Sequence, residues 1–456
     1  MILHDHELAT ATGGTLVTGG AAGALGTDSR RLQPGTWFVA LSGDRFDGHA
    51  FLGMARDCGC AGAIAQHVPD DWDRGFVKVE DGLTALQDVA RHVRSGFPGP
   101  VVGITGSAGK TTTRALTSLA LAGLGPIHAT EGNLNNHIGL PLTILRAPVG
   151  AAAWVLEMGM SGFDEIDLLQ DIGGPTVRVI TNVGAAHLEG VGSLDGVARA
   201  KGELFAGARP GDTCVVNADD PRVAALPIPA GVRVLRYGSS QGCDVRLTDA
   251  VVDPDGLCTR FRIEAGDTVV RGTIPAPGAY LAENAAAAVA VAIALRAPLD
   301  GLGARFAAYE PVGMRLRIEA GPAGSRVLND AYNANPLSVG ATLRTLAAIP
   351  GRRVALLGDI LELGEHEDAL HTDVLTRALA LGLDAVGTVG PRFAAAAERL
   401  PGDARVFAAP HPEALADRVR PTLDDTTTVL VKGSRGLAME RILRRWSAGP
   451  AAGEDA

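Results

Sequence analysis

The residues with the greatest chemical potential are Gly103-Ile104-Thr105-Gly106-Ser107-Ala108-Gly109-Lys110-Thr111-Thr112, which follow an apolar run at 101–104 and precede a helix-forming stretch at 115–124. Between a strand and a helix, glycines let backbone N–H groups turn inward around phosphate oxygens, and the helix N-terminus adds the positive end of its dipole. The pattern is that of a P-loop with one glycine displaced, because the usual spacing puts a glycine where Ile104 stands. Lys110 can reach the terminal phosphates of a nucleotide and Thr111 can bind Mg²⁺. We therefore read Gly106, Ser107, Ala108, Gly109, Lys110, Thr111 and Thr112 as an ATP site. Further along, Glu157 ends the apolar run 154–156, where a carboxylate at the C-terminal edge of a parallel sheet faces the ligand crevice and can hold Mg²⁺. His187 follows the run 177–180 and its Thr181-Asn182-Val183-Gly184 extension, which puts it at the same edge. Lys201 falls in Ala198-Arg199-Ala200-Lys201-Gly202-Glu203, a helical stretch on which a lysine ordinarily takes a solvated face.

The elements that must position these groups are legible as alternation. Short β-rich runs at 101–104, 153–156, 177–180 and 214–217 are separated by helical stretches, the pattern of a mostly parallel sheet covered by helices on both faces. The same pattern recurs with runs at 327–328, 353–357, 385–389 and 428–431. Two Pro/Gly-bearing joints, 94–100 and 309–313, interrupt it. The 456 residues then divide into a small α/β domain at 1–98, a P-loop-type domain at 99–311 and a Rossmann-like α/β domain at 312–456.

Composition excludes several classes. A formal net charge of -10 disfavours nucleic acid or an anionic membrane as partner. The longest apolar stretch, 285–295, is far short of the roughly 20 residues a membrane helix needs and is mostly alanine, so it reads as a buried helix. Cys58, Cys60, Cys214, Cys243 and Cys258 lack metal-ligand spacing and read as incidental thiols of a reducing compartment. His4, Asp5, His6 and Glu7 stand where a secretory signal would need a basic start and an apolar run, so a cytoplasmic protein is expected. The tail 447–456 is expected to fray.

Taken in order, Gly103 through Thr112, Glu157-Met158-Gly159, His187-Leu188-Glu189-Gly190 and Ala200-Lys201-Gly202-Glu203 resemble the central domain of the ATP-dependent Mur ligases of peptidoglycan synthesis. Five further segments extend the resemblance over nearly the whole chain: Thr27-Asp28-Ser29-Arg30, Gly132-Asn133-Leu134-Asn135-Asn136, Asn329 through Pro336, Leu357 through Gly364, and Val431 through Gly436. The resemblance implies a monomer whose first domain holds a uridine nucleotide, whose second holds ATP, and whose third closes over both. It implies UDP-N-acetylmuramoyl-tripeptide and D-alanyl-D-alanine as substrates. The Tyr332-Asn333-Ala334-Asn335-Pro336 run favours that dipeptide over a diamino acid or glutamate. It also assigns Ser29 and Arg30 to the UDP moiety, Asn135 and Asn136 to the central substrate site, and Asn333 and Asn335 to the dipeptide. Asn284, Arg315 and Asp330 match positions that flank the adenine, phosphates and ribose.

In the implied chemistry a carboxylate takes the γ-phosphoryl group of ATP, and an amine attacks the resulting acyl phosphate. Lys110 and Mg²⁺ offset the repulsion between the carboxylate and the triphosphate. The resemblance further implies that Lys201 is carbamylated by CO₂ and joins Thr111, Glu157 and His187 as a metal ligand, with Lys110, Lys201 and His187 forming the catalytic set. Two departures stand out: Tyr280 occupies a position where the family often has histidine, and Asn329 one where acidic residues are common. A P-loop ATPase or nucleotide switch, the competing class, would not need the Lys201 and His187 pair.

Overall fold

The computed structural model describes residues 1–43, 46–253, 255–400 and 402–448. Packing separates the chain into two compact units, one of residues 1–103, 124–159 and 164–178, the other of 104–123, 160–163 and 179–456. Strands Val101–Thr105 and Val177–Ile180 each straddle that division in sequence.

In the first unit, a five-stranded sheet has the order Thr15–Thr18, Gly75–Lys78, Gly62–Ala65, Trp37–Val39, Leu25–Gly26. Its first pair is antiparallel and the rest are parallel. Helix Gly82–Ser95 begins where the Asp81 carboxylate accepts the Thr84 N–H at 2.7 Å, and it buries Leu86, Val89 and Val93 along one face. The unit also holds the parallel pair Ile127–Ala129 and Ala153–Glu157.

In the second unit, Thr213–Asn217, Arg233–Gly238 and Val245–Asp253 run parallel, and Cys258–Ala265 and Thr268–Ile274 continue antiparallel. These last hairpins are not legible in the sequence. Their buried positions alternate with Arg246, Arg260, Arg262 and Glu264, so no apolar run announces them. The alanine-rich stretch is helix Ala279–Ala294, in which Ala285 through Ala292 are all 0% exposed. It packs on helix Lys110–Leu121, and methyl side chains allow that close approach.

A six-stranded sheet follows in the order Arg317–Ala320, Arg326–Asp330, Thr427–Lys432, Arg352–Gly358, Ala385–Val389, Val406–Ala409, parallel except for its first pair. Val327, Val354, Leu356, Val429 and Val431 form its core with Leu415, Ile442 and Trp446. All eight runs read from sequence are strands here, each within three residues at either end. Ser447 closes the last helix, Arg441–Ser447, and the fraying expected beyond residue 448 lies outside the described residues. No helix among the described residues is long and apolar enough to cross a membrane.

Candidate functional site

Strand Val101–Thr105 delivers the glycine loop, and the loop's conformation explains its composition. Gly106 has φ 149°, and a Cβ there would lie 1.8 Å from Thr181 Oγ1. Gly109, at φ 81°, caps helix Lys110–Leu121, and a Cβ on it would meet Asn284 Oδ1 at 2.8 Å. Asn284 also accepts a hydrogen bond from Thr113 Oγ1 at 3.1 Å, so this expected nucleotide contact sits on the loop. The N–H groups of Ser107 and Ala108 donate to Asn182 O (3.0 Å) and Asn182 Oδ1 (2.8 Å). These two amides are therefore engaged within the chain, where sequence reading had aimed them at phosphate. Ser107 Oγ donates to Gly184 O at 3.0 Å, and Thr181 Oγ1 donates to Ala108 O at 2.6 Å. The Lys110 ammonium donates to Gly106 O at 2.7 Å, curled over its own loop, and Thr111 and Thr112 occupy the buried first turn.

Ser193 caps helix Leu194–Ala206, accepting the Gly196 N–H at 3.1 Å, and the phase of that helix turns Lys201 inward. Lys201 is only 1% exposed, which overturns the expectation of a solvated face. Burial first, and the neighbouring Lys110 charge second, push its pKa well below the ordinary lysine range and favour the neutral amine. Among the described residues it has no ion-pair or hydrogen-bond partner. His187, at φ 56°, precedes the short helix Leu188–Val191, and its Nδ1 lies 2.5 Å from Glu362 Oε2. That bond is the main cause of a lowered Glu362 pKa.

A second cluster gathers around the strand ends of the six-stranded sheet. The Asp330 carboxylate accepts from Lys432 Nζ (2.5 Å) and from the Leu316 N–H (3.1 Å). The Arg315 guanidinium lies 4.0 Å over the Tyr332 ring. Asn333 contributes its carbonyl to Lys432 at 3.0 Å. Asn335 caps helix Pro336–Ala347 through its Oδ1, which accepts the Ser338 N–H, while its Nδ2 donates to Ser107 O at 2.9 Å. One asparagine thus ties the helix to the glycine loop. Tyr280 is half-buried, its hydroxyl pKa raised by burial and then by the Asp330 charge.

In the first unit, Glu157 closes strand Ala153–Glu157 at 1% exposure and accepts from Asn135 Nδ2 at 2.8 Å. Asn136 accepts from the Gly139 N–H at 2.8 Å and so starts helix Gly139–Leu145. Ser29 and Arg30 lie on a surface turn, where the Arg30 fork is already taken by Asp28 at 2.9 and 3.0 Å. Among the described residues no three His, Cys, Asp or Glu side chains form a ready-made metal site. Sequence reading assigned no task to Thr181, Asn182, Lys432 or Glu362. All four lie inside segments it had singled out, but their partners are distant in sequence.

The glycine loop, the buried lysine and the mostly parallel sheets define a nucleotide-dependent α/β enzyme. The Mur ligase middle domain matches residues 104–292, and the Mur ligase glutamate ligase domain matches residues 314–435. The chain is 37% identical to the UDP-N-acetylmuramoyl-tripeptide--D-alanyl-D-alanine ligase of Escherichia coli (strain K12), covering 92% of this chain and 93% of that protein. It superposes on a crystal structure of MurF from Acinetobacter baumannii with a TM-score of 0.91 and 29% identity, covering 98% of this chain and 99% of that one. The MurF ligase of Thermotoga maritima in complex with ADP gives 0.84 at 29% identity, covering 93% and 97%. The chain belongs to the Mur ligase family, and like that family it is an ATP-dependent amide-forming ligase.

Proposed function

We propose that this ligase joins D-alanyl-D-alanine to a UDP-N-acetylmuramoyl-tripeptide in peptidoglycan precursor synthesis, as a cytoplasmic monomer. The observation that carries the reading is likeness over nearly the full length to a ligase of that name. Residues 1–98 then hold the uridine nucleotide, 99–311 hold ATP, and 312–456 bind the dipeptide.

Gly109 and the first turn Lys110-Thr111-Thr112 present a helix N-terminus to the phosphates, with the Lys110 ammonium moving from Gly106 O to the transferring group. Asn284, beside Gly109, and the cluster of Arg315 and Asp330 serve the nucleotide. Asn333 and Asn335 serve the dipeptide, Asn135 and Asn136 the muramoyl peptide, and Ser29 and Arg30 the UDP. Magnesium, when bound, would shield the triphosphate and stabilise charge on the transferring phosphoryl group. Thr111, His187 and Lys201 would hold it if Lys201 is carbamylated, and the Glu157 carboxylate is a further candidate ligand by its chemistry. Carbamylation requires a neutral amine, and Lys201 is buried, without a partner among the described residues, and shifted toward that form.

The test is phosphate release with each component withheld in turn. Release should require ATP, Mg²⁺, UDP-muramoyl-tripeptide and D-alanyl-D-alanine together. Full turnover with glutamate or a diamino acid replacing the dipeptide overturns the assignment.

A further inference from the structure

In the segment Leu357 through Gly364, three consecutive residues are anchored separately. Both Asp359 carboxylate oxygens accept N–H groups at the start of helix Pro391–Glu398, from Arg392 at 3.0 Å and Phe393 at 2.9 Å. The Ile360 N–H donates to Nε2 of the fully buried His371 at 3.0 Å. The other His371 nitrogen, Nδ1, lies 2.6 Å from Glu367 O, which assigns the proton to Nδ1. The Leu361 N–H donates to Ser434 Oγ at 2.9 Å.

The next residue is Glu362, at φ 63°. Its Oε2 lies 2.5 Å from His187 Nδ1, and its carbonyl accepts the Glu189 N–H at 3.3 Å. His187 is itself at φ 56°. Two non-glycine residues in the left-handed region, bonded to each other from separate loops, persist only where the surrounding structure over-determines them, and such strain gathers at functional sites. Histidines that bind metals characteristically donate their second ring N–H to a carboxylate, which fixes the tautomer and raises ligand basicity.

We propose that Glu362 is a positioning residue for His187: by accepting a hydrogen bond from Nδ1–H it holds the ring in the tautomer whose Nε2 is free to donate an electron pair to magnesium. The inference rests on the reading of His187 as a metal ligand. It gives the Leu357–Gly364 segment a purpose, which is to deliver one carboxylate, from 175 residues away, to the back of that imidazole.

The experiment uses the full-length chain with ¹⁵N-labelled histidine, and follows Mn²⁺ binding in the presence of ADP by electron paramagnetic resonance against an ADP-only control. Glu362→Ala should shift the His187 ring nitrogens away from the single Nδ1–H tautomer and weaken Mn²⁺ binding about 10- to 100-fold. Glu362→Gln, which keeps an acceptor, should retain much of both. Glu362→Gly tolerates the left-handed backbone and gives the same readout should the alanine variant not fold. In a His187→Ala background, Glu362→Ala should cause no further loss. An unchanged ring spectrum and Mn²⁺ affinity in Glu362→Ala, or an undiminished effect without His187, overturns the positioning role while leaving His187 as a ligand. Unchanged Mn²⁺ affinity in His187→Ala removes the metal reading itself, and the proposal with it.

Discussion

Lys432 Nζ lies 2.5 Å from Asp330 Oδ2, and the two residues are register partners at the ends of parallel strands Thr427–Lys432 and Arg326–Asp330. Both are largely buried, so neither charge is well solvated. Removing one partner of such a pair leaves an uncompensated charge and typically costs about 3–5 kcal/mol, whereas replacing both costs far less. Lys432→Met should accordingly lower the urea midpoint of unfolding, and Asp330→Leu in the same chain should restore most of it. A loss below about 1 kcal/mol in the single variant would show that water reaches the carboxylate.

Lys201 tests charge identity at one atom. Because the side chain is buried, Lys201→Met, which keeps the stem volume, is the cleaner measure of function, and it should reduce turnover at least about 100-fold while the protein stays folded. Lys201→Ala leaves room for rescue. A short-chain carboxylic acid should restore part of the activity, and an alkylamine should not. Rescue by the amine alone would remove Lys201 from the metal ligands.

Lys110 donates to Gly106 O in the structure, and bonds from Ser107, Ala108 and Thr181 hold the loop besides, so Lys110→Ala should still fold. Its turnover should nonetheless drop by about 10³-fold, several kcal/mol of transition-state stabilisation. Steady-state phosphate release checks this, and near-normal rates would reduce the glycine loop to a turn.

Two buried histidines set an acid limit to stability. Burial lowers the pKa of both His128 and His371 in the fold, and His371 Nε2 must stay unprotonated to accept the Ile360 N–H. Below the ordinary value of 6.5 the unfolded chain takes up protons that the folded chain refuses. Their contribution is therefore complete above about pH 6.5 and is lost as pH falls through the lowered folded values. Thermal midpoints should decline from pH 7 to pH 5.5, less steeply in His128→Gln. A flat profile would contradict the burial argument.

The parallel strands, the glycine loop and its lysine, and the alanine helix were all readable from the chain, because each is a local pattern whose meaning lies within a few residues. Apolar runs report burial on both faces of a sheet, and glycines report backbone that no side chain can follow. The Val245–Ile274 hairpins escaped because sheets with one wet face mix arginine into the alternation. Lys201 was singled out, but its burial was not readable: a helix sequence states which residues share a face, but not whether another element covers that face. Asn335 likewise looks like a turn residue until the fold brings Ser107 O within 2.9 Å of it. The pairing of His187 with Glu362, 175 residues apart, depends on where two anchored loops end, and only tertiary packing decides that.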